Sequence, residues 1–169
     1  SLDLRGQDIS IEHYETVRAS LPDCHILWDV PFQGKKLSND TKTLTVSELT
    51  DEDIQVMDYF TGLIEVDAAG CDDYAQIEKL MAHRPNCNVR YEVRLGKLSC
   101  APDIAELVLE NGDYNYDAML ENLTWLHKLT SVRLRMPELT QEQITVLRET
   151  YPEIEITCTV SLLGEEYEV

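Results

Sequence analysis

Apolar residues recur at every second position in three stretches, each beginning just after a proline. After Pro22 they are Cys24, Ile26, Trp28 and Val30; after Pro85, Cys87, Val89, Tyr91 and Val93; after Pro152, Ile154, Ile156, Cys158 and Val160. A period of two places alternate side chains on opposite faces and predicts a strand in each stretch. Upstream of each proline the period changes. Tyr14, Ile77 and Ile144 stand eight residues before it, and Val17, Leu80 and Leu147 stand five before it, so each pair shares one helical face. Twelve residues before the proline lie Ser10, Asp73 and Thr140, whose side chains can accept hydrogen bonds from the free N–H groups of a first helical turn. The proline then stops the helix, because it lacks a donor and restricts the residue before it. A capped helix, a proline and a strand are thus predicted three times, with the prolines 63 and 67 residues apart. Gly34, Gly96 and Gly164 follow in corresponding places and mark turns.

Two further units lie between these copies. Thr43-Leu44-Thr45-Val46 reads as a strand, and Thr50-Asp51-Glu52-Asp53 as a capping-box start to a helix carrying Ile54, Met57 and Phe60. Glu106-Leu107-Val108-Leu109 reads as a strand before a helix from about Tyr116 to Leu129. Strand starts fall near residues 2, 26, 44, 64, 89, 107, 132 and 156, most of them 20 to 25 residues apart. The two shorter steps follow Trp28 and Tyr91, where no helical pattern is visible and an extended loop is expected. Strands this short gain stability by stacking side by side, each followed by a right-handed return.

The segments Leu2-Asp3-Leu4, Leu44-Thr45-Val46, Ile64-Glu65-Val66-Asp67-Ala68, Leu107-Val108-Leu109 and Val132-Arg133-Leu134-Arg135 resemble the strands of ribonuclease-inhibitor-like leucine-rich repeat proteins, in particular the divergent repeats of bacterial cell-surface proteins. The likeness spans essentially the whole chain. It departs from that pattern in lacking a ladder Asn after each strand, in its alternating coil lengths and in the aromatic strands at Trp28 and Tyr91. The resemblance implies one α/β domain over residues 1–169, a right-handed β/α solenoid of about eight short parallel strands with helices on the convex side. It also implies a binding or scaffolding module that offers its exposed strand face to a partner, a step of analogy from fold to function.

Composition narrows the function classes. Of 169 residues, 43% are hydrophobic, enough for a sizeable core, while 14 basic and 32 acidic side chains give a formal net charge of −18. That charge repels phosphate backbones and anionic surfaces, so nucleic acid is not an expected partner. No apolar run approaches the roughly 18 residues of a membrane span, which predicts a soluble segment with no membrane insertion. The start at Ser1-Leu2, without Met, reads as a piece of a longer chain.

The 5 cysteines, at 24, 71, 87, 100 and 158, contain no CxxC pair, and Cys24, Cys87 and Cys158, in the apolar alternating stretches, are expected to be free thiols packed as small hydrophobic groups. None of the 4 histidines has a partner at metal-ligand spacing. Asp113-Tyr114-Asn115-Tyr116-Asp117 begins like a calcium loop, but Ala118 and Thr124 stand where the motif needs Gly and Glu, so a turn and a helix N-terminus explain it better. GxSxG, GxxxxGK[ST] and GxGxxG are absent from the sequence. Neither metal, cofactor nor enzymatic activity is expected. Two Asn-x-Thr triplets, at Asn39 and Asn122, match the glycosylation pattern.

Alternation along the strands predicts an exposed row that contains Asp3, Arg5, Asp29, Thr45, Glu65, Asp67, Arg90, Glu92, Glu110, Arg133, Arg135, Thr157 and Thr159, with Ile26, Trp28, Val30, Val89, Tyr91 and Val93 buried. Neighbouring strands would set Glu65 and Asp67 beside Arg90, and Glu110 beside Arg133 and Arg135. The candidate contact residues are Asp29, Asp67, Arg90, Glu92, Glu110, Arg133 and Arg135, the arginines foremost because a rigid guanidinium suits carboxylates and aromatic faces. The expected function is a non-enzymatic module that meets a protein or glycan through this face. The alternative is a structural spacer within a larger surface protein. An extracellular or cell-surface location follows from the resemblance, with the cytoplasm as the alternative.

Overall fold

The computed structural model describes residues 1–110, 112–135, 138–162 and 165–168, with side chains described as far as Thr159. The chain forms two compact units, Ser1–Arg90 and Tyr91–Val169.

In the first unit β1 (Leu2–Asp3) leads to α1 (Ile11–Ser20), β2 (Ile26–Leu27), β3 (Asp29–Phe32) and β4 (Lys35–Ser38). Then come β5 (Thr43–Thr45), α2 (Asp51–Val56) with a 3-10 turn over Met57–Tyr59, β6 (Glu65–Asp67), α3 (Tyr74–His83) and β7 (Asn88–Arg90). The second unit contains β8 (Val93–Arg94), β9 (Ser99–Cys100), β10 (Glu106–Glu110), α4 (Tyr116–Asn122) with a 3-10 turn over Leu123–Trp125, β11 (Ser131–Arg135), α5 (Gln141–Thr150), β12 (Glu155–Leu162) and β13 (Glu165–Glu168).

Helix ends follow the sequence closely. Ser10, Asp73 and Thr140 are the N-caps of α1, α3 and α5, and each side chain accepts the backbone N–H three residues on. Each such cap contributes about 1 kcal/mol. Thr50 and Asp53 close a full capping box on α2. Before each of the three prolines the chain leaves the helix in nearly one conformation, with φ, ψ of −132°, 60° at Leu21, −125°, 69° at Arg84 and −121°, 66° at Tyr151. That shared exit aims the chain into β2, β7 and β12.

The expectation of one right-handed β/α solenoid is not met. The strands divide among five small sheets, β1-β2, β3-β4, β5-β6-β7, β8-β9 and β10-β11-β12-β13, which do not form a solenoid. Among the described residues parallel pairing is confined to β1-β2, β5-β6-β7 and β10-β11-β12; β3-β4, β8-β9 and β12-β13 are antiparallel. The reason lies in the two short steps after Trp28 and Tyr91. Instead of an extended loop, the chain there reverses and pairs with itself. In β3-β4 the turn residues Gln33 (φ 47°) and Gly34 (φ 72°) both take positive φ, the two-residue hairpin geometry that matches strand twist. In β8-β9 Gly96 (φ 125°) occupies the turn, and the N–H of Leu95 donates to the carbonyl of Leu98 at 2.9 Å. Backbone groups spent on a hairpin are not available to extend a parallel ladder. Gly164 of the third copy lies outside the described residues.

Each unit has its own core. In the first, Tyr14 stacks on Trp28 with ring centroids 4.1 Å apart and planes within 9°, and Tyr59 meets both rings edge-on. Met57, Phe60, Val66, Ile77 and Leu80 are fully buried. In the second, Leu107 and Leu109, Val132 and Leu134, and Ile156 and Cys158 alternate inward from β10, β11 and β12, with Met119, Ile144 and Leu147 contributed by the helices. The described helices include none long and apolar enough to cross a membrane.

Candidate binding face

The outward residues of β10, β11 and β12 form three rungs fixed by the strand register. Glu106, Ser131 and Glu155 share the first, Val108, Arg133 and Thr157 the second, and Glu110, Arg135 and Thr159 the third. Because Leu107, Leu109, Val132, Leu134, Ile156 and Cys158 are drawn into the core, the alternating residues are turned away from it. The first two rungs line a shallow concavity of about 250 Å³ together with Leu107 and Val132. Val108 keeps 48% of its surface exposed in it.

The third rung is closed on itself. Arg135 donates from Nη1 to Oε1 of Glu110 at 3.1 Å. Thr159, expected on the exposed row, is buried. The first two rungs differ. Among the described residues the side chains of Glu106, Glu155 and Arg133 form no hydrogen bond or ion pair.

The parallel sheet of the first unit offers a contrast. There Asp67 pairs with Arg90 directly across β6 and β7, and Glu65 accepts from Asn88 at 3.2 Å. The Arg90 guanidinium, followed by the N–H of Ala69, holds the Asp67 carboxyl below its ordinary range. Glu65 lies opposite Asn88 in the register, with Arg90 one rung away.

The other sequence candidates are scattered. Asp29 is half-buried at the start of β3, where its Oδ2 accepts the N–H of Gly6 at 2.7 Å and fixes the turn after β1. Glu92 is exposed but lies between β7 and β8, outside any strand. Val89, expected in the core, is half-buried. Arg5 folds back on Asp3 with Nη2 to Oδ2 at 2.6 Å, and that pairing pulls the Asp3 carboxyl down to about 2.

Sequence reading missed Glu106, Val108, Ser131 and Glu155. Glu106, Val108 and Glu155 lay within the stretches read as strands but were not carried into the exposed row, whereas Ser131 falls one residue before the expected start at 132. Carrying the alternation two and four residues back from Glu110, and two back from Arg133 and Thr157, would have reached Val108, Glu106, Ser131 and Glu155.

Cys71, Cys87, Cys100 and Cys158 have thiols pushed above their ordinary range by burial, which keeps them from ionising as nucleophiles. His83 places Nε2 3.0 Å from both carboxylate oxygens of Asp58, and Arg84 binds the same carboxylate and the carbonyl of Met57. This cluster ties the C-terminus of α3 to the 3-10 turn. In the stretch that resembles a calcium loop, Asn115 caps α4 by accepting the N–H of Ala118 at 3.2 Å. Among the described residues no three His, Cys, Asp or Glu side chains are grouped to hold a metal ion.

No family model, curated protein or solved structure matches this chain. The functional reading therefore rests on the geometry of the β10-β11-β12 face.

Proposed function

We propose that this chain is a non-enzymatic interaction module whose outward face on β10, β11 and β12 docks a partner. The observation that carries the reading is the unpaired set Glu106, Arg133 and Glu155 around exposed Val108 on one concave sheet surface. Paired strands fix the backbone that carries these groups, so the ordering cost on binding is confined to their side chains. Arg133 is the preferred anchor, since its planar donor array accepts a carboxylate in a fixed orientation. Arg90 and Arg135 are already committed to Asp67 and Glu110, which moves them from candidate contacts to supports of their own sheets. Placement at a cell surface belongs to the same proposal, with the cytoplasm as the alternative.

A photo-crosslinking amino acid in place of Val108 tests the reading in the native surroundings. It is expected to capture a partner, while the same group at Ile64, which is 61% exposed in the first unit, captures none. Equal capture at both positions, or none at either, would favour the spacer.

A further inference from the structure

We infer that the occupant of the β10-β11-β12 face is a protein segment that presents one carboxylate between two cationic side chains. This rests on the interaction reading and specifies its partner. Glu106 and Glu155 stand on the outer strands of one rung with Ser131 between them, and Arg133 stands on the middle strand one rung along. Strand spacing sets the two glutamates about 10 Å apart and the arginine about 6.6 Å from their rung. The array is two negative charges flanking the approach to one positive charge. Its complement is two positive charges flanking one negative.

An extended peptide supplies that complement directly. Side chains at positions i, i+2 and i+4 point to the same side, so Lys/Arg-x-Asp/Glu-x-Lys/Arg places its carboxylate at the centre and its cations outside. The outer cations span about 13 Å at the backbone, a separation that flexible lysine or arginine stems can narrow to meet the glutamates. Val108 offers an apolar surface to one of those stems.

Other ligand chemistries fit worse. A neutral glycan would cover Glu106, Arg133 and Glu155 without supplying counter-charges, leaving charged groups desolvated and unpaired. An acidic glycan or a nucleic acid would meet two carboxylates for one guanidinium on a chain of formal net charge −18. A uniformly basic segment would satisfy the glutamates but set a like charge against Arg133.

Selection from a random 12-residue peptide phage library on the immobilised 169-residue chain, with counter-selection on Arg133→Ala, tests the assignment. Enrichment of Lys/Arg-x-Asp/Glu-x-Lys/Arg is expected. Those peptides should lose at least tenfold in affinity on Arg133→Ala and on the double variant Glu106→Gln, Glu155→Gln. They should bind unchanged to Arg18→Ala, which alters an exposed charge on α1. All these side chains are exposed, and unchanged circular dichroism and melting would show that the variants are folded. Arg133-dependent peptides of another composition would overturn the assignment and leave the face a binding surface. Basic peptides that bind Arg133→Ala equally well would overturn it as general attraction to an acidic chain. Absence of any Arg133-dependent peptide would overturn both the assignment and the interaction reading.

Discussion

Asn39 shows how far one side chain's role can lie from its sequence motif. The Asn-x-Thr triplet suggests a glycosylation acceptor, yet Asn39 is only 1% exposed. Its Oδ1 accepts the N–H of Trp28 at 3.2 Å, and its Nδ2 donates to the carbonyl of Ile26 at 2.9 Å. It thereby fills the backbone gap between β2 and β3. Asn122 at the second triplet likewise donates to the carbonyl of Arg94 at 2.9 Å. Local sequence cannot reveal such bonds, because the partners lie 11 to 28 residues away. Asn39→Ala would strand a buried donor and a buried acceptor. It is expected to cost about 2–6 kcal/mol in chemical denaturation, from about 1–3 for each of the two orphaned groups. At Asp3 the folded carboxyl titrates near 2, below its ordinary 3.8, because Arg5 bonds the charged form. The stabilisation is present above about 3.8 and lost as pH falls towards 2. An NMR titration should find that low midpoint, and Arg5→Ala should raise it towards the ordinary carboxylate range, short of it by whatever the retained backbone N–H of residue 5 contributes.

Caps and prolines carried the element scale. Ser10, Asp73, Thr140 and Thr50 head the helices their positions predict, because a cap is a contact between residues three apart and is written locally. Thr140→Ala is expected to lower stability by about 1 kcal/mol in urea unfolding, while Thr140→Asn retains the cap and most of that stability. Hairpins were illegible for a different reason. Gly34 and Gly96 mark turns in the sequence, but a turn residue does not say whether the strand beyond it folds back or continues to a new neighbour. Gly96 adopts φ 125°, and a Cβ built there would lie 2.7 Å from the backbone nitrogen of Asn115. Gly96→Ala therefore adds strain of about 1–3 kcal/mol and a backbone clash, and its melting temperature should fall well below that of Thr140→Ala. The candidate face lay half within reach of sequence reading. Glu110, Arg133 and Arg135 followed from alternation, whereas on the first rung Ser131 lies one residue before the expected strand start and Glu106 and Glu155, though within the alternating stretches, carried no mark of a shared rung.

For the whole molecule, charge is the dominant sequence fact. A formal net charge of −18 over 169 residues opposes compaction, and the described ion pairs are mostly exposed contacts worth about 0.2–1 kcal/mol each. Raising ionic strength from about 0.01 M to 0.15 M shortens the screening length from about 30 Å to about 8 Å and weakens repulsion summed over the surface more than a few short pairs. The melting temperature should rise across that range; a fall would mean that the ion pairs outweigh the repulsion. Docking of a partner on the β10-β11-β12 face through Arg133 is the proposal on which the functional reading turns. The most direct measurement is quantitative capture from the native surroundings by wild type, Arg133→Ala and Arg18→Ala, each first shown to be folded. A partner retained by wild type and Arg18→Ala but lost from Arg133→Ala is the predicted result. Equal retention by all three, or by none, would contradict it.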